Sequence, residues 1–286
     1  MTNEDPNPVN HDSHESVYDG LLVNDAHWAF GTDFEDPLAG VDTTVPEGID
    51  ANGLATFCLA LGDDALVLSH RLSEWCSRAP DLEEDIALAN IALDLLGQAR
   101  LLLARAAAAD PSLVPVLPEG SPAPVEDALA FFRSDREFRN TCLVEVPNGD
   151  FAETICRLLV FSTHRLALFE RLASHPDAVL RAVAAKGVKE LVYHRDFAGR
   201  WFLTLAQGTD ESRRRLDAGL AQVWAYRHEL GEDPQADVTL EHVLATGGVT
   251  VPDVRPVRPL GGHTEHLSRL VAEMQVVARE HPLGLW

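Results

Sequence analysis

From Leu82 to Ala109 the chain reads LEEDIALANIALDLLGQARLLLARAAAA, without a proline. Leu88, Ile91, Leu95, Gln98 and Leu102 recur at intervals of three and four, so they share one face of a helix. A face of Leu, Ile and a single Gln has to be buried against other helices. Asp81 is placed to cap the N-terminus, with Glu84 completing a capping box. At about 1.5 Å per residue the helix is about 40 Å long. Helices of this length bury their apolar faces by packing side by side, so the fold expected is an all-α bundle.

The flanking sequence supplies the other helices. A helix is predicted over residues 53–78, with Leu54, Cys58, Leu61, Ala65, Leu68 and Leu72 as its apolar seam. Ala79-Pro80 ends it, because the residue before proline avoids helical angles. The very short turn into the next helix makes the two antiparallel neighbours. His70, Glu74 and Trp75 fall off the seam and are expected at the surface or in an interface. A Pro-rich loop over residues 111–124 leads to a short helix over 125–133. The Pro147-Asn148-Gly149 turn precedes a helix over 151–175, opened by a second capping box from Asp150 and Glu153. A helix over 178–206 carries the seam Leu180, Ala184, Gly187, Leu191, His194, Ala198, Trp201 and Leu205, and closes at Gly208. Further helices are predicted over 211–230, near 240–245, and over 264–280. No internal repeat and no strand-like alternation long enough for a sheet is visible. Residues 1–50 read as a disordered or extended arm, whose Trp28 and Phe30 could dock on this subunit or a partner, and residues 51–286 as one helical domain.

Acidic residues outnumber basic ones 45 to 23, for a net charge of −22. That charge repels nucleic acid and anionic membrane but leaves a basic protein partner open. Cys58, Cys76, Cys142 and Cys156 form no C-x-x-C pair and read as reduced thiols, three of them in predicted helices among apolar neighbours. With a polar, acidic N-terminus and no charge-free run of about 18 apolar residues, the expectation is a cytoplasmic protein with no membrane span.

One class of helical bundle, the ferritin-like carboxylate proteins, holds two irons with a Glu from each of two helices and Glu-x-x-His from the other two. The spacing matters because residues three apart on a helix can reach the same metal pair. On the inward seams this chain has Leu95-x-x-Gln98 and Leu191-x-x-His194, with Ala65 at the centre of the first helix. Glu153 is the one acid on the third, and it fits equally as a cap. At most Glu153 and His194 remain of six ligands, too few carboxylates to balance two irons, so no iron is expected here. Leu95, Leu191 and Ala65 should fill the centre, with Gln98 and His194 bonding each other or a water. Asp63-Asp64 and residues 83–85 could suggest paired carboxylates for acid–base work, but both runs fit solvated turns or caps.

Four blocks make the pattern specific: LGDDALVLSHRLSEWCSRAPDLEEDIALANIALDLLGQAR, LVEVPNGDFAETI, YHRDFAGRW and GGHTEHLSRLVAEMQ. They resemble, in the same order, the C subunits of bacterial ring-1,2-phenylacetyl-CoA epoxidases. The resemblance runs over residues 53–286, is weak over 231–260, and leaves out the first 50. It implies a ferritin-like four-helix bundle with extra C-terminal helices and an irregular N-terminal arm. It also implies a structural, non-catalytic subunit in a multicomponent monooxygenase of aerobic phenylacetate breakdown. The di-iron site and the epoxidation of phenylacetyl-CoA would belong to a homologous A subunit, whose two Glu-x-x-His motifs align with Leu95/Gln98 and Leu191/His194. A B subunit and a reductase carrying FAD and an iron–sulfur cluster complete such hetero-oligomers. This chain would itself hold no cofactor and no catalytic residue. Its interface with the A subunit is expected on the first two helices, at His70, Glu74 and Trp75. Two other readings stand beside it: an active di-iron oxidase with an unorthodox ligand set, and a helical scaffold or binding protein without an oxygenase partner.

Overall fold

A computed structural model describes residues 40–259 and 262–284, so the arm residues Trp28 and Phe30 lie outside the described part. Residues 40–50 run without regular structure into the first helix. The nine α-helices among the described residues are α1 (Ala51–Ser73), α2 (Leu82–Ala109), α3 (Val125–Phe131), α4 (Cys142–Glu145), α5 (Phe151–Leu172), α6 (Ala178–Ala206), α7 (Asp210–Trp224), α8 (Pro234–Thr246) and α9 (Glu265–Glu280). No strand occurs among them.

Capping residues set most helix starts. Asp50, Asp81, Asp150, Asp177, Thr209, Asp233 and Thr264 each turn a side-chain oxygen to a first-turn backbone N–H. Each such cap is worth about 1 kcal/mol. Asp81 accepts from Leu82 N rather than from Glu84, so the expected capping box is not formed there. The first helix stops at Ser73, short of the expected 78, because Ser77 adopts a left-handed backbone (φ 64°) and donates its N–H to Asp85. The helix expected over 211–230 ends at Trp224 and tightens into a 3-10 turn, Arg227–Leu230. The short helix near 240 starts earlier than expected, since Pro234 sits in its first turn behind the Asp233 cap.

Four long helices build the bundle. α1 packs along α2, α5 packs along α6, and α2 against α6 joins the two hairpins. The antiparallel register of the first hairpin shows in Ser69 Oγ donating to Ala92 O at 2.6 Å. Gly187 lets α6 approach α5 closely: a Cβ there would lie 2.6 Å from the Phe169 ring. All six residues of the predicted α1 seam are buried, as are Leu88, Ile91, Leu95, Gln98 and Leu102 of α2. Cys58, Cys142 and Cys156 are buried and Cys76 is exposed, all as free thiols.

One expectation needs correction. Asp63 and Asp64 are buried in mid-helix, not solvated. Asp63 pairs with Arg133, and Asp64 with Arg165 at 2.8 Å. Burial pushes both carboxyls up and the guanidinium groups oppose it. By length and composition alone α1 and α2 could cross a membrane, but 67% of the most apolar stretch of α1 and 50% of that of α2 are buried within the protein. They are core helices of the bundle. The lower figure for α2 reflects the exposed apolar residues on its outer face.

Candidate functional site: a hydrocarbon centre flanked by an exposed apolar helix face

The centre lies where α1, α2 and α6 meet. Leu95 and Leu191 are fully buried, and Ala65 nearly so. The antiparallel α2–α6 register places Gln98 beside Glu190 and His194 beside Asp94, one turn apart. Gln98 Nε2 donates to Glu190 Oε2 at 2.9 Å, and Lys186 Nζ shares that carboxylate at 2.8 Å. His194 Nε2 meets Asp94 Oδ2 at 3.0 Å. Gln98 and His194 therefore each bond a carboxylate on the opposite helix, not each other. Their remaining polar atoms, Gln98 Oε1 and His194 Nδ1, are buried and bond no protein group.

Glu153 is not at this level. It sits in the first turn of α5, where Asp150 caps its N–H at 3.0 Å. With its amide nitrogen turned inward, Gln222 of α7 donates to both Glu153 oxygens, at 2.8 and 3.0 Å. Burial raises the Glu153 carboxyl and Arg157 counters it. The α5 residue opposite α1 at the centre is Arg165, twelve positions and about 18 Å further along the helix. Its guanidinium lies 4.9 Å from the Phe161 ring centroid and 5.6 Å from Phe169, and it pairs with Asp64.

A di-iron cluster needs several carboxylates converging on one point. Among the described residues, the one group with three His, Cys, Asp or Glu donor atoms within 4.8 Å of one another is Asp81, Glu83 and Glu84, at the start of α2. At the bundle centre Leu95, Leu191 and Ala65 offer no donor, and Asp64 is already neutralised by an organic cation. The residues present do not fit two irons.

The outward residues named from sequence are only partly outward. His70, Glu74 and Trp75 are half-buried. Glu74 bonds Arg71 at 2.8 Å and Asn148 at 3.2 Å. Trp75 donates to Thr154 Oγ1 at 3.1 Å and starts an edge-to-face ladder through Phe151 to Trp201. Glu74 and Trp75 tie the end of α1 to the start of α5. The open surface lies elsewhere, on α2: Leu82, Ile86, Leu93 and Leu96 are 67%, 52%, 61% and 44% exposed. An ordinary surface helix is polar on its outer face. The clue was present in the sequence, since these four residues are apolar and lie off the buried seam.

The family model described as "Phenylacetic acid catabolic protein" matches residues 41–242. The chain belongs to this family. A similar member is the C subunit of the 1,2-phenylacetyl-CoA epoxidase of Escherichia coli (strain K12), 40% identical over 258 residues. That similarity covers 82% of this chain and the whole of the Escherichia coli protein. Members of the phenylacetic acid catabolic family have the ferritin-like helical fold seen here.

Proposed function

We propose that the chain is the structural, non-catalytic C-type subunit of a multicomponent cytoplasmic monooxygenase that epoxidises the ring of phenylacetyl-CoA. The observation that supports this reading is the burial at the bundle centre of Leu95, Leu191 and Ala65, side chains that carry no metal donor. A bundle that retains the shape of an oxygenase subunit without its donor set is suited to holding an active homologue in place. The catalytic A subunit supplies the di-iron site, and a B subunit and a flavin, iron–sulfur reductase complete the hetero-oligomer. The exposed apolar face of α2 is the surface that pairs with the A subunit, and the half-buried His70, Glu74 and Trp75, near the end of α1, contribute to the interface. Pairing across this face removes apolar surface from water and so stabilises both partners.

Metal analysis tests the reading. The purified chain should contain no iron above background, alone or after anaerobic incubation with ferrous ion. Iron approaching about two per chain, the occupancy of a working site, would overturn it.

A further inference from the structure

A second surface lies on α6, on the side turned to α8. Leu159, Leu203 and Val243 floor a groove of about 580 Å³, with Thr239 at one wall. Lys189, Arg195 and Arg200 line its rim, with Val192 and Tyr193 exposed beside it. Arg195 is paired with Asp196 at 3.0 Å, and Arg200 Nε bonds only the Asp196 carbonyl. Three cations and one carboxylate leave the groove at +2 (3 − 1), on a chain whose net charge is −22. Lys186 and Lys189 are the only lysines in the sequence, and both stand on this helix.

An apolar floor between two helices with cations on its rim fits one kind of occupant. A third helix lays its apolar face in such a groove, and acidic residues on its flanks meet the cations. On a strongly acidic molecule, local positive charge both attracts and orients an acidic partner that the rest of the surface repels. The groove residues on α6 form a different stripe from Gly187, Glu190, Leu191 and His194, which face α5 and α2. Occupancy of the groove therefore leaves the α2 face open.

We propose that the α6–α8 groove docks an acidic amphipathic helix of another component of the assembly, separate from the partner on α2. This inference rests on the subunit role proposed above. The test uses the full chain co-expressed with the other epoxidase subunits, comparing the wild type with two double variants. One, Lys189→Glu with Arg200→Glu, reverses the groove; the other, Leu93→Asp with Leu96→Asp, disrupts the α2 face. All four substituted side chains are exposed, so circular dichroism and melting should match the wild type. The groove variant should keep the A subunit and bind a different component about tenfold or more weakly at low salt, with the difference shrinking as salt is added. A groove variant with complete composition and unchanged salt dependence overturns the proposal. So does tight binding of inorganic pyrophosphate to the wild type but not to the variant, which would make the groove a small-anion site. If the wild-type chain retains no subunit at all, the assembly reading falls, and the groove proposal falls with it.

Discussion

Asp64 and Arg165 are neighbours in space and 101 positions apart in sequence. Runs such as Gly62-Asp63-Asp64 look solvated in a sequence because periodicity reports which way a residue faces, not what waits opposite. Only the assembled bundle brings Arg133 and Arg165 to these carboxylates. Removing one member of a buried pair leaves an unpaired charge, so Arg165→Met should destabilise the chain by about 3–5 kcal/mol. The double change Asp64→Leu with Arg165→Met should recover much of that loss, both read by urea denaturation. His263 makes a second prediction. Its Nδ1 faces the buried Glu145 carboxylate at 2.5 Å and its Nε2 faces Phe138 O at 2.9 Å, an arrangement in which both nitrogens can donate only when the ring is protonated. The hydrogen bond to Glu145 raises its pKa, with Asp63 adding to the effect and burial opposing it. A raised pKa means stability present below the unfolded value near 6.5 and lost as pH climbs through the folded one. The melting temperature should therefore fall through that window in the wild type, and His263→Gln should flatten the fall.

At the scale of elements, the sequence was most legible where a cap and a long periodic face agreed. The observed bounds of α2 and α6 are those expected, because Asp81 and Asp177 cap helices of 28 and 29 residues whose apolar seams recur at intervals of three and four. It was least legible at the end of α1, where Ser77 breaks the helix with a left-handed backbone that no local residue type announced. The Ala65, Leu95 and Leu191 positions of the centre could be read from spacing alone. Glu153 could not, since its carboxylate belongs with Gln222 of α7, whose packing against α5 depends on Gly219 having no Cβ: one there would fall 2.7 Å from Glu153 Cα. For α2 itself, Leu93→Asp with Leu96→Asp should change the stability of the isolated chain by only about 0.5 kcal/mol per site. In a complex each leucine would bury surface worth about 2 kcal/mol. Affinity for the A subunit should therefore drop by about a hundredfold or more, measured by interferometry with the A subunit immobilised. Unchanged affinity would move the interface off this helix.

At the scale of the molecule, the hydrophobic pattern, the short turns and the capping residues all point to one answer, which is why the bundle was readable from the chain alone. Consistency of that kind is what makes a fold legible. The connections across the bundle were not readable, because they are made by charged side chains from distant segments. Arg71 reaches Glu145 O at 2.5 and 3.0 Å, and Asn148 returns a bond to Arg71 O at 2.6 Å, fastening the 145–148 loop to the end of α1. Arg157 holds the same loop from α5 through Val146 O and Asn148. These links brace the 145–148 loop between the end of α1 and the start of α5.

The four bare leucine and isoleucine side chains along α2 carry a cost for the cell. A copy synthesised in excess of its companions presents a greasy ridge to every neighbour, inviting precipitation and degradation. If the face is covered in the assembly proposed above, orphan copies should be shorter-lived than assembled ones, which a pulse-chase of the chain with and without the other subunits would read.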